Sequence, residues 1–123
     1  MQMPSAARQD KQEGLCEEFM RERAAVLCRA GQAVEDALDR ITAIGRSITS
    51  HLARLQSGHV SGEAPLLFEQ INEAIDQYND ACRKAEIQYY YLIVTREALG
   101  LRKHDRVEDV YRIPPRKKRI QAE

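Results

Sequence analysis

The chain has no tryptophan, two phenylalanines, four prolines and six glycines among its 123 residues. So few breakers beside so much Ala, Arg, Glu, Gln and Leu tilt the composition toward helix. Cysteine is scarce as well: Cys16, Cys28 and Cys82 are odd in number and widely spaced. That suits a reducing cytoplasm better than a disulfide framework, and neither Cys-x-x-Cys nor a haem-attachment motif occurs. No apolar run approaches the roughly 18 residues that span a bilayer. Met1 to Gly14 lacks the apolar core of a secretory signal and reads as a polar lead-in. The sequence therefore predicts a cytoplasmic protein without a membrane segment.

There is no net charge of either sign, which argues against a protein devoted wholly to nucleic acid. The distribution is uneven, however. Residues 63–100 hold three basic and seven acidic groups, whereas residues 101–123 hold eight basic and four acidic ones. An acidic segment is thus followed by a basic one, and a local basic contact stays open.

What is present is helical periodicity. Phe68, Ile71, Ile75, Tyr78, Cys82, Ala85, Tyr89, Leu92 and Leu99 recur at spacings near 3 and 4, the repeat of a helix packed lengthwise on another. Arg96 is the one break in that row. Tyr89 to Val94 is apolar on all sides, which predicts cover from more than one partner there. Upstream, Leu27, Val34, Ile41, Ile48 and Leu55 fall at intervals of seven. Ala30, Ala37, Ile44 and His51 form a companion row, and Gly31, Leu38, Gly45 and Leu52 a third. So wide a face belongs to a bundle rather than to a two-stranded coil.

Gln56 to Pro65 contains two glycines, two serines and a proline, and breaks both patterns. The fold class expected is all-α: a long antiparallel hairpin of coiled-coil type, with helices over about 15–56 and 65–99, a turn over 57–64 and a short helix over about 106–112. Residues 1–13 read as a flexible lead, 14–113 as the single domain and 114–123 as a basic flexible tail. Ser61 is the expected N-cap of the second long helix and Gly100 its left-handed C-terminal residue. Asp105 to Glu108 resembles a capping box, with Val107, Val110 and Tyr111 as the apolar side of the short helix.

With the turn centred near residue 61, residue j of one helix pairs with about 122 − j of the other. The first helix then overshoots the second and leaves Leu15, Phe19 and Met20 without a hairpin partner; Leu101 to Ile113 is the available cover. A lone hairpin also leaves its second rows wet, namely Gly31, Leu38, Gly45 and Leu52 on one helix and Leu67, Ala74 and Ala81 on the other. These rows form the expected self-association face, and a homodimer closing a four-helix bundle is the expected assembly. The alternative cover is a different protein.

Chemistry is thinly represented. No Glu-x-x-His occurs, and His51, His59 and His104 do not converge, so neither metal nor cofactor is expected. Ser47 lies one turn before His51, but no acidic residue follows to orient the imidazole, and no catalytic residue is assigned. The five tyrosines read as core rings with hydroxyls at the surface. Arg96 calls for an acidic partner on the opposing helix, Glu18 or Glu22. The strongest functional signal is Arg112-Ile-Pro-Pro-Arg-Lys-Lys-Arg119, with Arg112, Arg116, Lys117, Lys118 and Arg119 as candidate contacts. Such a run binds phosphate, an acidic protein surface or a nuclear import receptor, or serves as a solubilising tail that docks on the acidic second helix of its own or a neighbouring subunit. The reading is a non-enzymatic interaction or scaffolding protein that self-associates and meets a protein partner through its surface or tail. The alternatives are a nucleic-acid-associated accessory protein using the tail and, behind it, a ligand-binding or enzymatic bundle.

Overall fold

Apolar residues at seven-residue spacing on two segments of unequal length fold here into a helical hairpin. The computed structural model describes residues 6–58, 62 and 64–121. Helix α1 spans Ala6–Gln56, α2 spans Ala64–Ala98 and a short α3 spans Asp105–Val110. At 1.5 Å per residue, the 51 residues of α1 run about 77 Å and the 35 of α2 about 52 Å. α1 begins well before the expected position, so the described part of the lead, from Ala6 on, is helical. No strand occurs among the described residues.

The register follows the sequence arithmetic. Arg23 donates from Nη2 to the Leu99 carbonyl, and Tyr78 lies against Gly45. α2 therefore ends beside Arg23, and the 17 residues from Ala6 to Glu22 project beyond it by about 25 Å. Gly100, at φ +88°, closes α2 in the left-handed conformation. Leu101 N–H donates to the Arg96 carbonyl at 2.9 Å and Gly100 N–H to that of Glu97 at 3.0 Å, so the last turn's carbonyls are satisfied. The expected cap Ser61 and His59 lie outside the described residues.

The core forms two clusters. The larger joins Ile41 and Ile48 of α1 to Leu67, Ile71, Ile75, Tyr78, Ala81, Cys82 and Ala85 of α2, with Ile113 and Ile120 packed against it. The smaller joins Val34, Leu92 and Val107, with Tyr89 and Tyr111 at its edge. Several expectations change here. Leu101 to Ile113 folds back onto Gly31 and Val34 rather than reaching the overhang, because the Schellman turn reverses the chain at Gly100. Leu15, Phe19 and Met20 accordingly stay 66%, 59% and 60% exposed. The run from Tyr89 to Val94 is covered on one side only: Leu92 is buried, whereas Tyr90 and Tyr91 face out. In α3 the helix starts after His104, which makes no side-chain cap, so the capping box is not formed; Val107 is buried and Val110 exposed.

Candidate interaction surface: the docked C-terminal segment

Ile113-Pro114-Pro115 cannot continue a helix, since Pro114 bars the α conformation at Ile113 and each ring removes a donor. The chain after α3 is therefore extended, and it lies along α2 rather than free as a flexible tail. Two asparagines hold it. Asn79 Nδ2 donates to the Lys117 carbonyl at 2.9 Å, and Lys117 N–H donates back to Asn79 Oδ1 at 2.9 Å. Asn72 repeats the pattern on Ile120, donating to its carbonyl at 2.9 Å and accepting from its N–H at 2.7 Å. Cys82 Sγ donates a weak bond to the Pro114 carbonyl at 3.8 Å. Each amide thereby saturates both backbone groups of one residue, satisfying main-chain polar groups that no helix or sheet supplies.

The side chains of the segment meet the acidic face of α2. Arg116 Nη2 reaches Glu86 Oε2 at 2.9 Å, and Arg119 Nη1 lies 3.7 Å from Asp76 Oδ2. Lys117 Nζ stands 4.9 Å over the Tyr78 ring, a cation–π contact. Of the other expected contacts, Arg112 pairs back with Asp109 in the last turn of α3 at 3.6 Å, and Lys118 is exposed. The ion pairs are half open to water and each contributes little on its own. The asparagine bonds and the partial burial of Ile113 and Ile120 fix the segment; the charges choose its side.

The rows expected to lie wet are partly covered within the chain. Gly31, Leu67 and Ala81 are buried within the single chain, and Leu38, Gly45, Leu52 and Ala74 are half-buried. Part of the face assigned to a second copy is thus covered from inside: Tyr78 of α2 meets Gly45, Tyr111 meets Gly31, and Ile113 and Ile120 pack against the larger cluster that holds Leu67 and Ala81. Burial also raises the Tyr111 hydroxyl above its ordinary value, helped by the bond it donates to Glu35 Oε1 at 3.1 Å and by that carboxylate's charge. Burial pushes the Cys82 thiol up, Glu86 adding to it and Arg116 and Lys117 opposing. Cys82 is thus a packed thiol rather than a reactive one.

Arg96 turns away from α1. Its Nε donates to His104 Nδ1 at 3.2 Å and its Nη2 to the Lys103 carbonyl at 2.8 Å, while His104 Nε2 meets Glu97 Oε1 at 3.1 Å. Nδ1 accepts in this arrangement, so Nε2 carries the proton and donates to Glu97. The expected pairing with Glu18 or Glu22 is replaced because the loop after Gly100 offers nearer acceptors. Ser47 and His51 line a shallow cavity of about 330 Å³ with Gln70, Glu73, Ala74 and Gln77. Among the described residues His51 Nδ1 meets no hydrogen-bond partner, and no third group orients the ring for catalysis. Among the described residues no three His, Cys, Asp or Glu side chains gather to hold a metal, and no helix is long and apolar enough to cross a membrane.

Asn72 and Asn79 are the residues that sequence reasoning missed. Their only signal is a spacing of seven on one face of the acidic helix. Comparison with protein-family models, with curated proteins and with solved structures finds no match to this chain.

Proposed function

We propose that this protein is a non-enzymatic helical interaction protein that self-associates through the projecting end of α1. The observation that carries the reading is the exposure of Leu15, Phe19 and Met20 on the stretch of α1 that extends past the end of α2. Scattered apolar residues are ordinary on a surface, but three large ones within two turns of an unsupported helix make an exposed apolar patch fit for docking. Met20 continues the row of Leu27, and Cys16 that of Ala30, which meet α2 further along α1, while Leu15 and Phe19, one turn apart, lie to one side of those rows. A second copy laid antiparallel clears α2 when the two overhangs, Ala6 to Glu22, overlap each other and no more. Two overhangs then cover each other and continue the two-helix packing across a two-fold axis.

The geometry supports this above the phosphate-binding alternative. Arg116 and Arg119 face Glu86 and Asp76, so part of the basic run is already answered by carboxylates of its own chain. Light scattering on the purified chain tests the proposal. The expected mass is twice 14.1 kDa at micromolar concentration, falling to one chain in Phe19→Glu with helicity retained. A wild-type chain that stays monomeric across that range refutes it.

A further inference from the structure

We propose that the α2 face bearing Asn72, Asn79, Asp76 and Glu86 is a docking site for a basic, proline-containing extended segment of another polypeptide. In the structure described here the protein's own residues 113–120 fill it. The proposal deepens the interaction-protein reading by naming a second partner surface, remote from the α1 overhang.

Three observations carry it. Asn72 and Asn79 stand seven helical residues apart, about 10.5 Å, which three residues of extended chain also span. Both amides bind main chain only, so the site reads an extended backbone whatever side chains it bears. The residues that touch α2 through their backbone, Pro114, Lys117 and Ile120, recur at intervals of three. That is the repeat of a polyproline II helix; a β-strand, with its period of two, would turn alternate contacts away. Finally, Asp76 and Glu86 flank the row and set its preference for cationic residues. An extended segment of this kind carries no internal hydrogen bonds, so it is preformed and loses little freedom on docking. The resident segment is tethered, so it competes as an internal ligand at roughly millimolar effective concentration.

The test uses the full chain carrying Lys117→Pro and Ile120→Pro, which deletes both donors that the tail offers to the asparagines, and a fluorescent synthetic peptide of residues 111–121. The opened variant should bind this peptide roughly tenfold or more tighter than wild type does. Adding Asn72→Ala and Asn79→Ala should abolish binding, and a peptide with Arg116→Glu and Arg119→Glu should bind less well. Cys82, fully buried beneath Pro114, gives a second readout. It should alkylate faster in the opened variant and slow again when the peptide is added. A helical variant that neither binds the peptide nor regains protection at Cys82 overturns the proposal. If the variant loses its helicity, amide exchange in the wild type decides. Lys117 and Ile120 should open well before Ile75, and equal protection at all three overturns the proposal because the segment then leaves only by global unfolding. A dimer dissolved by Asn79→Ala rather than by Phe19→Glu would give the site to a second copy's tail, also overturning it.

Discussion

Gly45 sits mid-helix on α1, where glycine costs about 1 kcal/mol relative to alanine. A close helix crossing could justify that cost, but the distance says otherwise. A methyl group built at Gly45 would meet its nearest neighbour, Tyr78 Cε2, at 3.5 Å, which is ordinary van der Waals contact and a small gain in packing. Gly45→Ala should therefore stabilise the protein by about 0.5–1 kcal/mol, a rise of roughly 2–4 °C in Tm for a chain of this size. Urea denaturation followed by circular dichroism, at one fixed protein concentration, measures this, with the m-value unchanged. Gly31 provides the internal contrast, since its added methyl would lie 3.3 Å from the Tyr111 hydroxyl oxygen. That oxygen also bonds Glu35, so it must give way, and the gain in Gly31→Ala should be smaller by about 0.5 kcal/mol or more. The double variant Gly31→Ala/Tyr111→Phe should recover part of the difference. Destabilisation by Gly45→Ala would show that α1 and α2 approach more closely than described, and would refute the reasoning.

Other consequences are equally direct. Ile71 is fully buried in the larger cluster, so Ile71→Ala should cost about 2–5 kcal/mol in urea unfolding, whereas exposed Leu66→Ala should cost under about 1. Arg96→Ala removes the bonds to His104 Nδ1 and the Lys103 carbonyl. It should speed amide exchange at Glu108 and Tyr111 while leaving Val34 and Ile71 unchanged; an equal loss throughout would show that Arg96 supports the whole hairpin. Asp80 is held below its ordinary value of 3.8 by the hydrogen bonds from Arg83 and Lys84. Its contribution is present above that value and fades as pH falls through the lower folded one. Wild type should therefore exceed Asp80→Asn at neutral pH and converge with it in acid; a difference that persists in strong acid would refute this account.

How much of this was legible beforehand differs from element to element. Val34, Ile41 and Ile48 at intervals of seven announce the buried line of α1, and the antiparallel pairing sum places Arg23 beside Leu99. Both are consequences of helical periodicity, which is local and repeats often enough to be read. Leu67 and Ala81 were legible as apolar but not as covered, because part of the cover of their cluster comes from Ile113 and Ile120, two isolated residues in a segment without periodicity. Asn72 and Asn79 were invisible for a further reason: an exposed asparagine on a helix has no compositional signature until an extended backbone is laid beside it. The opposite charges of residues 63–100 and 101–123 did point to the docking, but charge carries no register. The helical start from Ala6 was missed because residues 6–14 have no apolar stripe to reveal it.

The paired asparagines also act as a vernier. If the segment slid three positions so that Lys117 came to Asn72, Pro114 would arrive at Asn79 with no N–H to give, and half of that clasp would fail. Slippage in the opposite sense would lift Ile120 off the apolar cluster and set it at Asn79, where the lysine now lies over the Tyr78 ring. A single prolyl ring and a single isoleucine thus bracket one alignment, and the strand is detained in it with no disulfide or sheet to hold it.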